Sequence, residues 1–156
     1  MRWWSPGRAL AAGFAATVVN AVAIRLVGAA GIAAGTSGFA KWLAAHVNGV
    51  LGTGLPTALG PVAQEVFHTS VGLVSALIYA AVVYPLLPGP RWLRGLLYVQ
   101  GMWIVQALFV LPWLHQGYFG TGISRTAPLW SWGLNALYGI VLGALYEPKC
   151  AQDVIA

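Results

Sequence analysis

Glu65 and His68 are the two residues of this chain best placed to do chemistry together. They are one helical turn apart, so on a helix the carboxylate and the imidazole share a face. Metal sites in helix bundles are built from this pattern, and His46 and His115 could supply further nitrogen ligands. The four side chains therefore predict, as one alternative, a zinc or copper site or a haem.

The same residues also support a purely structural interpretation. Arg25 lies near the end of the first long apolar run and Glu65 just before the second. An ion pair between them would relieve the cost of an arginine in a bilayer, about 2.5–3.5 kcal/mol at mid-depth and less near the interface. His68 would then bond to nearby groups. We favour this interpretation, because the pairing relieves that cost. The other acids, Glu147 and Asp153, are expected at the opposite side, which excludes a di-iron centre.

The elements that must position these residues are transmembrane helices. Hydrophobic residues make up 59% of the 156 residues and charged residues 7%, with a mean hydropathy of +0.76, whereas a water-soluble domain needs far more surface charge. A span needs about 20 mainly apolar residues. Four runs meet that length: 9–30, 66–87, 95–114 and 129–146. We predict an all-α integral membrane protein, a single domain over 1–156 with four transmembrane helices in a bundle.

Residues 31–60, between the first two spans, are too rich in glycine, threonine and proline to be a fifth crossing. Within them, Phe39, Trp42, Leu43 and Val47 would gather on one face of a short helix lying in the headgroup layer. We predict an interfacial helix on the outer side, between the first and second spans.

Orientation follows from the basic residues, because short loops rich in lysine and arginine stay in the cytoplasm. One side of the predicted bundle has the larger share, so we expect both termini in the cytoplasm of a bacterial cell and the protein in its inner membrane. The basic residues on that side are Arg2, Arg8, Arg91, Arg94 and Lys149, against Lys41 and Arg125 on the other. Trp4, Trp92 and Tyr146 would mark the inner interface, and Trp113, Tyr118 and Trp130 the outer one.

Packing residues are the clearest pattern inside the predicted spans. Small residues let helix backbones approach closely in lipid, and polar side chains hydrogen-bond across helices. In the second span, Gly72 and Ser75 continue the helical stripe of Glu65 and His68, so that stripe should face protein. The other predicted packing residues are Asn20 in the first span and Asn135, Gly139 and Gly143 in the fourth.

Two short segments carry a family resemblance, GFAAT at 13–17 and HTSVG at 68–72. With them the first half of the chain resembles a group of small bacterial inner-membrane proteins with four spans. In that group a glycine-rich first helix precedes an amphipathic outer segment, and a histidine opens the second span. The resemblance implies the same four-helix architecture. The group has no settled activity, so it implies no site residues.

The expected function is interaction rather than catalysis. No nucleophile stands with a base and an orienting acid, and the scattered basic residues do not form a nucleic-acid stripe. We expect a non-enzymatic accessory or assembly subunit of a larger membrane complex, respiratory complexes included, whose partners are lipid, other membrane subunits or further copies of the chain. The metal or haem protein is the first alternative. The second is a small homo-oligomeric permease or proton channel using Arg25, Glu65, Asn20 and Asn135.

Overall fold

The computed structural model describes residues 4–32, 46–54 and 60–148. Helix accounts for 77% of these residues, and none of them is in a strand, so the all-helical prediction is confirmed for this part of the chain. Four long helices are present within it: α1 (Pro6–Ala29), α2 (Pro61–Ile78), α3 (Arg91–Val105) and α4 (Ala127–Leu145). α2 continues into a π-helical turn, Tyr79–Val83, and α3 continues through a second one, Gln106–Val110, to Leu111–Trp113. A 3₁₀ turn occupies Tyr118–Gly120, and residues 46–51 are helical.

The first three helices begin three to five residues before the apolar runs that predict them. Pro6 and Pro61 occupy first-turn positions, where a proline loses no hydrogen bond and its fixed φ suits the helix. α3 differs, since Pro90 is its N-cap residue and Arg91 is its first helical residue. The polar residues of each first turn are therefore helical too, although an apolar run cannot reveal them.

Three helices are long and apolar enough to cross a membrane, which is consistent with a membrane-embedded protein. Among the described residues they are Pro6–Ala29, Pro61–Val83 and Arg91–Trp113. α4, with 19 residues, is not one of them. Its length suffices, so its hydropathy falls short of the criterion for a span, and its strongly polar Asn135 contributes to that. The described residues thus contain the four predicted long helices, but only three of these have the hydropathy of a membrane span.

α1 packs against both α2 and α4, and α3 packs against α4. Glycine residues, which have no side chain, make the α1–α2 contact close. A Cβ added at Gly13 would overlap Ala76 of α2, and one added at Gly72 would overlap the Thr17 hydroxyl. Because small residues let the backbones approach, α1 and α2 form a tight seam.

The seam between α3 and α4 is built in the same way. A Cβ at Gly139 would lie 2.7 Å from the carbonyl oxygen of Gly95, and a Cβ at Gly95 would lie 2.7 Å from Cα of Gly143. Each of these distances is shorter than real Cβ contacts allow. Glycine is therefore required on both sides of this seam.

α2 and α3 are joined by side chains. The Tyr98 hydroxyl of α3 donates to the carbonyl oxygen of Ser75 and lies 3.1 Å from the Ser75 hydroxyl. From α4, the Tyr138 hydroxyl donates to the carbonyl oxygen of Gly72 over 2.6 Å. Tyrosine hydroxyls therefore join α2 to both α3 and α4.

Candidate functional site

The part of the α1–α2 seam that lies towards the end of α1 and the start of α2 carries the polar residues that the sequence singles out. The two helices are antiparallel. Gly13 lies opposite Ala76, and Thr17, four residues further along α1, lies opposite Gly72, four residues earlier in α2. Further along the same register, Nη2 of Arg25 lies 3.0 Å from Oε2 of Glu65. The structure therefore contains the ion pair that we favoured from the sequence.

Asn20 lies between these levels, opposite His68 and Thr69 by the same register. Its side-chain oxygen, Oδ1, is buried and has no hydrogen-bond partner among the described residues. A buried polar atom in this state costs about 1–3 kcal/mol. Asn20, half-buried His68 and the Arg25–Glu65 pair thus form a polar seam, defined here by these four residues, between the second half of α1 and the first half of α2.

The structure does not gather the predicted metal ligands. His46 is exposed and lies edge-on to Trp113, with ring centroids 6.2 Å apart; His115 is exposed at the end of α3, with φ of 58°. In the part of the chain that the structure describes, no three His, Cys, Asp or Glu side chains form a group that could hold a metal ion. His68 lies opposite Asn20 and Arg25 of α1 in the register of the two helices, and α1 therefore provides no second histidine ligand there. The zinc, copper or haem alternative stays a prediction.

The predicted packing residues lie at different kinds of contact. Gly72 is at the α1–α2 seam, Gly139 and Gly143 are at the α3–α4 seam, and Ser75 bridges to Tyr98. Asn135 instead donates from Nδ2 to the carbonyl oxygen of Ser131, within its own helix, over 2.8 Å. Asn135 therefore does not bridge helices through that bond, whereas the glycines bring helices together.

Sequence reasoning missed a cluster of four aromatic rings at the opposite end of the bundle. The rings of Tyr84, Tyr98 and Tyr146 pack around the ring of Tyr79. The centroids of contacting rings are 5.1–5.8 Å apart. Three of these four contacts are edge-to-face, the arrangement that the aromatic quadrupole favours. We call these residues the tyrosine cluster. Tyr146, which the sequence predicts at the inner interface, is fully buried in this cluster.

The guanidinium group of Arg94 lies against the tyrosine cluster. The guanidinium carbon of Arg94 lies 4.8 Å from the centroid of Tyr84, and its Nε donates to the carbonyl oxygen of Gly89 over 2.8 Å. A cation over an aromatic face is attracted by the ring quadrupole. Arg94 thus fastens the loop between α2 and α3 to the bundle.

We expect the Arg25–Glu65 pair to contribute little to stability. Its side chains are 70% and 46% exposed, and ion pairs this open contribute about 0–1 kcal/mol. Arg25→Gln and Glu65→Gln should each change the free energy of unfolding by less than about 1 kcal/mol, measured by titration with a denaturing detergent in mixed micelles. The double variant provides the coupling energy, and a coupling well above 1 kcal/mol would show that the surroundings screen this pair poorly.

Comparison of the chain with known protein families, curated proteins and solved structures gave no match.

Proposed function

We propose that this chain is a four-span protein of the bacterial inner membrane, with both termini in the cytoplasm, which acts as an accessory or assembly subunit of a larger membrane complex. Its three strongly apolar helices support the membrane placement. α4 supplies the fourth span, since the bundle around it would hold its less apolar residues. Arg8, Arg91 and Arg94 support the orientation, because they lie together at one end of the helices.

One observation carries the subunit role: Gly101 faces outward from the middle of α3. A Cβ built at Gly101 would meet no atom within 4 Å, and Gly101 is exposed. It lies about 15 Å along the helix axis from Arg91, close to the bilayer centre. Leu97, Ile104 and Val105 share its face and are exposed. This outward face of α3, defined by these four residues, has a notch at mid-membrane depth.

Glycines inside the spans differ in their surroundings: a Cβ built at Gly133 of α4, like one at Gly101, would meet no described atom within 4 Å, although Gly133 is less exposed than Gly101. Gly13, Gly72 and Gly95 are each pressed against a neighbouring helix. A glycine within a helix costs about 1 kcal/mol relative to alanine, and close packing offsets that cost. Gly101 has no such contact with the residues that the structure describes. A helix from another subunit, packed into the notch, would supply it.

The subunit role is tested by purification from native membranes in a mild detergent, with mass spectrometry of whatever accompanies the chain. We expect the same partner subunits in repeated preparations. A protein that runs alone as a stable, monodisperse species would contradict the proposal. An absorption spectrum and metal analysis of the same sample test the metal alternative, which would be favoured by a bound metal or haem lost on His68→Ala.

Gly101→Leu should release the partner without unfolding the chain. Leucine would fill the notch, since a Cβ at this position meets no atom of the described residues within 4 Å. We expect partner recovery to fall at least about tenfold, the effect of losing about 1.4 kcal/mol of association free energy.

Gly28→Leu is the matched control, since Gly28 is also exposed, also has nothing within 4 Å, and lies on α1. It should keep the partner. Equal recovery from wild type and Gly101→Leu would exclude the outward face of α3 as the contact, even if partners are present.

A further inference from the structure

Arg94 continues the outward face of α3 towards the start of that helix. It precedes Leu97 by three residues and Gly101 by seven, or about two helical turns, so the three residues lie on one side of α3. Along the helix axis, Arg94 is about 10 Å from the notch at Gly101. Membrane helices commonly cross at about 20°, so a helix packed into the notch would still pass within reach of an arginine side chain there.

The guanidinium group of Arg94 is held in one orientation but keeps donors to spare. Its Nε and Nη1 donate to the carbonyl oxygens of Gly89 and Tyr84, over 2.8 Å and 3.4 Å. Nη2 donates no hydrogen bond to the residues that the structure describes. Because the side chain is already ordered, an acceptor from outside would bind to it at little further cost in entropy.

The charge of Arg94 has no carboxylate partner within the described part of the chain. Two acidic side chains occur there, and each is paired with another arginine, Glu65 with Arg25 and Glu147 with Arg91, both over 3.0 Å. Arg94 itself is half-buried, and withdrawing a charge from water costs free energy unless an opposite charge compensates it. Whatever covers the outward face of α3 should therefore bring a negative group to Arg94.

We propose that the partner subunit packs a transmembrane helix along the outward face of α3 and places an aspartate or glutamate beside Arg94. The inference rests on the proposed function and names the chemistry of its partner. A single helix of this kind accounts for both features of the face, the notch at Gly101 and the uncompensated charge.

Two other occupants account for less. A phospholipid could neutralise Arg94 with its phosphate, but a fluid acyl chain needs no notch, whereas a helix gains close contact from one. A second copy of this chain, with α3 against α3 across a two-fold axis, would bring the two Arg94 side chains to the same level. Like charges repel, so this face is unsuited to self-association.

Photo-crosslinking in native membranes identifies the occupant. Leu97, which lies between Arg94 and the notch and is 46% exposed, is replaced by p-benzoylphenylalanine, and the crosslinked peptide is sequenced by mass spectrometry. We expect a transmembrane segment of another protein, with an aspartate or glutamate within about two turns of the crosslinked residue. A segment without such an acid, a phospholipid adduct alone, or a peptide of this chain would each overturn the proposal.

Conservative variants separate the charge of Arg94 from its bonds to the loop. Arg94→Gln should lower recovery of the crosslinked partner about fivefold, equivalent to about 1 kcal/mol, the upper value for an exposed ion pair. Arg94→Lys loses the guanidinium fork but keeps the charge, so it should retain most of the partner. Equal losses for the two variants would assign the effect to the loop and overturn the charge pairing. Arg125→Gln, at an exposed arginine near the start of α4, should change nothing.

Charge reversal completes the test. Arg94→Glu should abolish recovery of the partner, and an arginine in place of the partner's identified acid should restore it. A double reversal that restores nothing, or equal recovery with wild type and Arg94→Gln, contradicts the charge pairing and leaves the subunit role standing. A wild-type chain that purifies alone contradicts both proposals.

Discussion

Gly95→Leu is expected to destroy the folded bundle. A side chain at this position would overlap the carbonyl oxygen of Gly139 and lie 2.7 Å from backbone atoms of Gly143. Backbone cannot rotate away as a flexible side chain can, so α3 and α4 would have to separate. We expect a loss of about 3 kcal/mol or more in the free energy of unfolding, the upper range for overpacked sites. Titration with a denaturing detergent in mixed micelles, followed by circular dichroism, measures it.

Gly101→Leu is the matched control for that experiment, because it makes the same substitution six residues along the same helix. Open space surrounds Gly101, and leucine is the better helix former by up to about 1 kcal/mol. Gly101→Leu should therefore unfold at the same or a slightly higher denaturant fraction. If both variants lose stability equally, the damage comes from leucine in α3 in general, and the close α3–α4 seam is wrong.

Tyr79→Ala is expected to be the most damaging substitution in the tyrosine cluster. Tyr79 is completely buried, and its ring contacts those of Tyr84, Tyr98 and Tyr146. Removing a buried aromatic ring costs about 3–5 kcal/mol through lost contacts and the cavity left behind. The same detergent titration should show a loss in that range.

Two variants separate the ring from its hydroxyl and from its location. Tyr79→Phe keeps the ring, and the hydroxyl's bond to the carbonyl oxygen of Arg91 is long at 3.5 Å, so we expect a loss below about 1 kcal/mol. Tyr118→Ala removes a tyrosine that is 63% exposed and should change stability by no more than about 0.5 kcal/mol. A loss for Tyr79→Phe as large as that for Tyr79→Ala would show that hydrogen bonding, not ring packing, holds the cluster.

The polar seam shows which contacts the sequence of a single helix can predict and which it cannot. Helical spacing places Glu65 and His68 on one face, and the cost of an isolated charge requires a partner for Arg25. The first consideration depends only on neighbouring residues, and the second depends only on charge. Spacing could not say whether His46 and His115 approach that face, because they come from loop and helix-end positions whose placement depends on the whole bundle.

The sequence by itself determined the helices and their apolar character, because backbone hydrogen bonding and hydropathy act over consecutive residues. It also indicated the small residues at which helices approach, including Gly139 and Gly143. Tertiary structure alone decided that Gly95 is the residue opposite these two, that Gly101 faces outward, and that tyrosines from α2, α3 and the end of α4 meet around Tyr79. Helix rotation and register are set by the sum of many weak contacts between segments far apart in the chain, and no local pattern contains that sum.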